Sequence, residues 1–182
     1  MFDAKLVSVL VPVYNERYTI SEILRRVWAA PLPEGLEREV IVVDDCSRDG
    51  TWGVLQKLAG TYPRLHLLRQ GRNRGKGAAI ARALTVAKGG IILFQDADLE
   101  YDPLEYPRLL APILEGDADV VYGSRFLPAD RRRVLFFRHA VGNKLLTLFS
   151  NLLTDLNLSD MVTGFKVFRA SAIKTIPIRS GR

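Results

Sequence analysis

Short apolar runs alternate along this chain with stretches of helical periodicity. Leu6 to Val11 is continuous and rich in β-branched residues, the pattern of a strand buried on both faces, and Pro12 is expected to stop it. Thr19-Ile20-Ser21-Glu22 reads as a capping box that opens a helix running to about Trp28, and Pro31 and Pro33 close that unit. Val40 to Val43 is a second strand, followed by a helix from near Thr51 with Asp49 or Thr51 as its cap. Leu65 to Leu68 is a third, short strand. Gly75 to Ala87 is alanine-rich and helical, Gly89-Gly90 breaks it, and Ile91 to Phe94 is a fourth strand. Asp102-Pro103 places a cap before a proline in the first turn of a helix that runs to about Leu114, and Val120 to Tyr122 is a fifth strand.

This alternation predicts an α/β protein of βαβ units with right-handed crossovers and a mostly parallel sheet. Beyond Gly123 the pattern changes: Val134 to Leu153 is a long apolar helical stretch with basic residues, and Val162 to Phe168 reads as another strand. No repeat or linker divides the chain, so a single domain over residues 1–182 is expected.

Composition refines the class. A hydrophobic fraction of 48% and a charged fraction of 25% are those of a soluble globular domain. The lone cysteine, Cys46, rules out an internal disulfide and fits a reducing, cytoplasmic compartment. There is no apolar signal core and no run near the roughly 20 residues that span a bilayer. The net charge of +6 is uneven, since Arg131-Arg132-Arg133, Arg138 and Lys144 share one stretch. Interleaved with Phe136, Phe137, Leu145, Leu148, Phe149 and Leu152, that stretch suits either an interfacial helix over anionic lipid or a core helix with a solvated basic edge.

Candidate chemistry collects at the predicted carboxyl ends of the strands, where open α/β sheets bind ligands. Pro12-Val13-Tyr14-Asn15-Glu16 follows the first strand, Asp44-Asp45-Cys46-Ser47 the second, Asp96-Ala97-Asp98 the fourth and Gly123-Ser124-Arg125 the fifth. The fourth is the sharpest. Asp96 and Asp98, with Glu100 two residues on, offer hard oxygen ligands for Mg²⁺ or Mn²⁺, which commonly use one or two carboxylates and complete their shells with phosphates and water. The plain alternative is a loop in which Asp98 and Asp102 only cap turns. The pair Asp44-Asp45 fits a carboxylate that bonds a ribose, or an Asx-turn leading into the next helix.

Gly71 to Gly77 is not a Walker A loop, because only three residues separate Gly71 from Gly75 and no Ser or Thr follows Lys76. Lys76 at a helix start could still meet a diphosphate, and a flexible helix lead-in is the other reading. His66 and His139 lack partners at metal-ligand spacing and read as structural. The acidic rim argues against a nucleic-acid partner despite the basic charge.

On these residues the chain resembles family-2 glycosyltransferases of the GT-A fold, and within them the dolichyl-phosphate mannose synthase and polyprenyl-phosphate glycosyltransferase group. The segments are VPVYNE (Val11 to Glu16), VVDDCSRDGT (Val42 to Thr51), NRGKGAA (Asn73 to Ala79), QDADLEYDP (Gln95 to Pro103), YGSRF (Tyr122 to Phe126), GNKLLT (Gly142 to Thr147) and SDMVTGFKVFR (Ser159 to Arg169). The resemblance implies a Rossmann-like nucleotide-sugar-binding sheet flanked by helices. It implies that Pro12, Tyr14, Glu16, Val43, Asp45, Ala97 and Lys76 line the donor site. Asp96 and Asp98 would position the ribose and hold Mg²⁺ or Mn²⁺ with Glu100, Arg125 would lie near phosphate, and Asp160 would face the acceptor. Cys46 stands where the family usually has glycine.

The implied reaction transfers a hexose from a nucleoside diphosphate sugar, of the GDP-mannose or UDP-glucose class, to a polyprenyl or dolichyl phosphate at the cytoplasmic membrane face. A one-step displacement would invert the anomeric centre, with Asp98, Asp160 and Arg125 as the catalytic set. The family pattern continues beyond Arg182 with another acidic segment, a basic loop and often membrane helices, so the resemblance implies a C-terminally truncated form. A sugar nucleotidyltransferase and a non-catalytic nucleotide-sugar-binding module are the rival readings. The first is disfavoured because Pro12 to Glu16 occupies the place of its glycine-rich loop.

Overall fold

The structure, a computed structural model, describes residues 2–124 and 137–178. Six strands form one sheet in the order β3-β2-β1-β4-β6-β5. β1 (Asp3–Val13), β2 (Glu37–Asp44), β3 (Leu65–Arg69) and β4 (Gly89–Phe94) are mutually parallel. β6 (Lys166–Arg169) pairs antiparallel with both β4 and β5 (Val120–Tyr122), which gives the mostly parallel α/β sheet expected.

The strands are buried because helices cover both faces. Val7, Val9, Val11, Val40, Val42 and Leu93 meet α1 (Ile20–Ala29), α2 (Thr51–Leu58) and α4 (Tyr106–Glu115) on one side. Leu10, Ile41, Val43 and Ile92 meet α3 (Lys76–Val86) and the short α6 (Ala170–Ile173) on the other. This alternation of odd and even positions is the two-residue period of a strand read against two cores. Ala79 and Ala83 face the sheet from α3, and such small side chains let a helix lie close to it.

Three sequence expectations are corrected. Pro12 does not stop β1, which continues to Val13. The Leu10 carbonyl accepts from Gln95 N–H on the β4 side, and Val13 accepts from Asp45 N–H on the β2 side. The nitrogen of Pro12 therefore faces β4 beyond their last pair, Leu10 with Phe94, and no ladder bond is lost. The capping box at Thr19 does not form. Thr19 Oγ1 donates to Glu16 Oε2 at 2.5 Å, while Glu22 turns outward to Arg25 and Arg26 at 2.7 Å each. Two guanidiniums hold the Glu22 carboxyl at about 2, below its ordinary range. The last strand is shorter than expected: Thr163 and Gly164 bond outside the ladder, and pairing starts at Lys166.

At the end of the sheet remote from the polar loops, buried Glu39 Oε1 accepts from Ser8 Oγ at 2.6 Å and from the Lys88 amide at 2.7 Å. A Cβ on Gly89 would lie 2.5 Å from the Leu6 carbonyl, so glycine begins β4 because the neighbouring backbone leaves no room there. Gly89-Gly90 therefore opens a strand as well as ending a helix.

α5 (Phe137–Thr154) is attached in an unusual sense. Polar contacts hold it to the body among the described residues: Thr147 Oγ1 accepts from Met161 N–H at 3.1 Å, and the Asn151 side chain bonds both the amide and the carbonyl of Leu158. Its apolar residues point away, with Leu152 72% and Leu153 86% exposed. Within this chain the described part of α5 is therefore largely exposed. Among the described residues no helix is long and apolar enough to cross a membrane.

Candidate functional site

Chain order places the site. β1 leads to β2 and β3 on one side, then the chain crosses to β4 on the other, so the switch in direction lies between β1 and β4. Crevices at such switch points, outside the carboxyl ends of the strands, are where α/β sheets bind ligands. The loops after β1 and β2 are laced together there. Asn15 N–H donates to Ser47 Oγ at 3.0 Å, Arg48 N–H to Asn15 Oδ1 at 2.9 Å, Glu16 N–H to Thr51 Oγ1 at 3.0 Å and Arg17 N–H to Asp49 Oδ2 at 3.1 Å. Asp49 Oδ1 also accepts from Thr51 N–H, but the N-cap of α2 is Gly50, with no side-chain cap bond, so neither Asp49 nor Thr51 is the cap expected. Asn15 and Cys46 take φ of 57° and 61°, a left-handed geometry in which glycine would be unstrained at position 46.

Asp44 and Asp45 make different contacts, Asp44 within its own loop and Asp45 to the glycine-rich loop. Asp44 is fully buried; its Oδ1 accepts from Ser47 N–H, three residues on and so not the Asx-turn expected, and Arg69 Nε lies 3.2 Å from its Oδ2. Asp45 clamps the glycine-rich loop. Its carboxylate accepts from Gln70 Nε2 at 2.8 Å, Arg74 N–H at 2.8 Å and Gly75 N–H at 2.7 Å. That clamp sets the start of α3, and with it Lys76.

Asp45→Ala is expected to leave those three donors without their acceptor and to cost about 2–4 kcal/mol, with Asp45→Asn costing less; urea unfolding of both variants measures it.

A cleft of about 160 Å³ opens on this rim, lined by Pro12, Val13, Tyr14, Asp45, Lys76 and Ala79. Four of the residues singled out in the sequence, Pro12, Tyr14, Asp45 and Lys76, therefore share one wall. Val43 and Ala97 are buried beneath the rim, so their side chains support the wall from within. Glu16 stands at the edge, with its carboxylate on Thr19. Lys76 extends from the cleft to Asp96, where Nζ donates to Oδ1 in a close ion pair.

Asp96 and Asp98 sit on a turn built by residues beneath them. Gln95 is buried and donates to the carbonyls of Asp96 and Tyr101 at 3.0 and 3.1 Å, and accepts from the Tyr106 hydroxyl at 2.8 Å. Asp98 Oδ1 accepts from Glu100 N–H at 2.9 Å, with Leu99 at φ 64°. Partial burial first, then the charges of Asp96, Glu100 and Glu16, push the Asp98 carboxyl above its ordinary range, against the opposing backbone bond from Glu100.

Among the described residues no three carboxylate, imidazole or thiolate groups close on one point, so the trio Asp96, Asp98 and Glu100 is not assembled as a ligand set. The Asx-turn that aims the Glu100 amide at Asp98 is part of that geometry. Asp96 and Asp98 together still fit an ion whose shell is completed by phosphate oxygens and water, and the mutual repulsion raising Asp98 is what a cation would relieve.

The loop before β6 closes the other side. Tyr101 OH accepts from Gly164 N–H at 2.7 Å, its ring packs on Phe165 with centroids 4.9 Å apart, and Thr163 Oγ1 donates to the Gly123 carbonyl. Asp160 is buried at 1% exposure, four positions before Gly164. Gln95, Tyr101, Tyr106 and Gly164 were not singled out from the sequence. Gln95, Tyr101 and Gly164 lie in segments that carry the resemblance, but their roles rest on partners elsewhere in the chain. Arg125, Arg131 to Arg133 and Phe136 lie outside the described residues, as do the side chains of Phe137, Arg138 and His139.

The family model for glycosyl transferase family 2 matches residues 8–176. The chain belongs to glycosyl transferase family 2. It is 30% identical over 174 residues to the dolichol-phosphate mannosyltransferase of Pyrococcus furiosus, covering 94% of this chain and 48% of that protein. It is 34% identical over 172 residues to the undecaprenyl-phosphate 4-deoxy-4-formamido-L-arabinose transferase of Aeromonas hydrophila, covering 94% and 51%. The chain spans about half the length of these relatives.

Among solved structures, Staphylococcus aureus TarS in complex with UDP-GlcNAc superposes with a TM-score of 0.65 at 26% identity, covering 93% of this chain and 46% of that one. Glucosyl-3-phosphoglycerate synthase of Mycobacterium tuberculosis, solved with Mn²⁺, UDP and glucosyl-3-phosphoglycerate, gives a TM-score of 0.69 at 24% identity, covering 95% and 60%. The architecture is the GT-A arrangement that the resemblance implied, and the relatives are polyprenyl-phosphate sugar transferases.

Proposed function

We propose that the rim binds a nucleoside diphosphate sugar and that the protein transfers the hexose to a polyprenyl or dolichyl phosphate by direct displacement with inversion. The observation that carries this reading is the continuity of the site: the cleft walled by Pro12, Tyr14, Asp45 and Lys76 is joined to Asp96 through the Lys76 ion pair. A cleft of about 160 Å³ is ring-sized, well below the several hundred Å³ of a drug-sized pocket, so it suits the base while the diphosphate lies along the open rim. TarS, a relative in fold at 26% identity, was solved with UDP-GlcNAc, in keeping with a donor of this class. The lipid phosphate is taken from the two transferases matched over 94% of the chain.

In this reading Tyr14 and Pro12 face the base, Lys76 meets the diphosphate, and Asp96 and Asp98 hold Mg²⁺ or Mn²⁺. Bound there, the ion would stabilise negative charge as the nucleoside diphosphate leaves. Arg125 would add positive charge near the phosphates. An acceptor phosphate is already anionic, so Asp160 serves to orient the acceptor side, a role that suits its burial. The outward leucines of α5, with Lys144 exposed on the same helix, suit a surface laid on anionic lipid, where the acceptor resides.

The test is a panel of GDP- and UDP-sugars with Mg²⁺ or Mn²⁺, with and without a polyprenyl phosphate in anionic liposomes. Metal-dependent transfer to the lipid with inverted product is expected. Donor binding without transfer would instead make the chain a donor-binding module, and absence of metal-dependent binding across the panel would remove the reading altogether.

A further inference from the structure

Lys76 occupies a position with two faces. It is the first residue of α3, where the positive end of the helix dipole disfavours a cation and where the first turn carries no acidic residue. Its stem lines the cleft, and its ammonium sits on Asp96 Oδ1. The other oxygen of Asp96 faces Gly164, where even a methyl group would lie 2.5 Å away. The oxygen that Asp96 presents to the rim is thus the one Lys76 holds. Asp98, by contrast, bonds only the Glu100 amide among the contacts described. The Lys76 side chain is 51% exposed, and an ammonium on a four-carbon stem keeps its strength while changing partners, so nothing in the packing fixes it there.

We propose that Lys76 is a displaceable counter-cation: it holds Asp96 until a divalent metal competes for the same oxygen, and it is then handed over to the diphosphate of the donor. This rests on the reading of Asp96 and Asp98 as the metal seat. The hand-over makes metal and nucleotide binding mutually reinforcing. Metal releases the lysine to the phosphate, and phosphate draws the lysine away from the metal's oxygen. The coupling is the same in either order of addition, as linkage requires.

The experiment compares the wild-type chain with Lys76→Met, Lys76→Arg and Asp98→Asn. Free Mn²⁺ is followed by electron paramagnetic resonance without nucleotide, and UDP and GDP binding by calorimetry with and without Mn²⁺. Lys76→Met is expected to bind Mn²⁺ about two- to fivefold more tightly than wild type, since an exposed ion pair no longer competes. It should bind the nucleoside diphosphate about five- to tenfold more weakly. Opposite signs on the two ligands are not what a merely structural lysine produces. Lys76→Arg should keep the wild-type Mn²⁺ affinity.

If Mn²⁺ binding is lost in Asp98→Asn but is unchanged or weaker in Lys76→Met, the competition is overturned while the metal seat stands. If Lys76→Met binds the nucleotide as wild type does, the hand-over is overturned. If no variant binds Mn²⁺, the metal seat falls and the counter-cation role with it.

Discussion

Asp98→Asn is expected to lower metal-supported binding of a nucleoside diphosphate by about 100-fold or more while leaving the fold intact or slightly more stable. The first half follows from ligand chemistry. Disturbing even the partners of a metal ligand typically costs 10–100-fold in affinity or activity, and here the change removes an anionic ligand itself. An amide keeps the shape and can still accept from the Glu100 amide, so the turn at Leu99 survives. The second half follows from the sign of the shift. The Asp98 carboxyl titrates higher in the folded protein than in an unfolded chain, because of partial burial and the charges of Asp96, Glu100 and Glu16. Its ionised form therefore costs stability at neutral pH, a cost that vanishes as pH falls through the folded value. Asparagine removes that cost at every pH. Nucleotide titration with Mn²⁺ and a thermal melt at neutral pH check both halves. Loss of binding together with loss of stability would mean that Asp98 holds the loop and not an ion.

The same rim shows how far residue order reaches. β1, β2 and β4 were legible because a parallel strand buried on both faces is a continuous β-branched run, and few other structures produce one. The polar segments after them were legible because a soluble chain has little other reason to follow each buried strand with carboxylates. What could not be read were contacts between distant segments. β6 follows β5 in the chain yet lies between β4 and β5, so the sheet is completed by an insertion that no local period encodes. Thr19 and Glu22 match a capping box letter for letter, but Glu16 and two arginines offer stronger partners. Asp45 was singled out as a ribose ligand. In the structure it is a clamp on Arg74 and Gly75, 29 and 30 positions away, a role visible only when both ends of the bond are known.

Gly164→Ala carries the second large effect, and it tests whether the loop before β6 belongs to the site. A Cβ there would lie 2.5 Å from Asp96 Oδ2, 2.5 Å from Tyr101 Cε2 and 2.8 Å from Tyr101 Cζ. The Tyr101 ring cannot retreat easily, because it packs on Phe165 and its hydroxyl holds the amide of Gly164 itself. Gly164 is not among the glycines of positive φ, so an L-residue is not opposed by its backbone and the contact alone decides the outcome. Two responses remain. If the loop moves, the cost is that of overpacking, about 1–3 kcal/mol, and the bond to Tyr101 is strained. If Asp96 moves, stability changes less, but the carboxylate leaves its place beside Lys76, and a shift of about 1 Å at such a group is enough for roughly 100-fold in turnover.

A thermal melt read beside metal-supported nucleotide binding separates the two responses. Where Asp96 moves, transfer on the proposed reading is expected to fall to about one hundredth of the wild-type rate or less. Wild-type stability together with wild-type nucleotide binding in Gly164→Ala would show that the loop does not press on Asp96. The segment before β6 would then be uncoupled from Asp96 and Asp98. As the structure stands, a methyl group added at Gly164 would press on both Asp96 and Tyr101, because their side chains close on that one position.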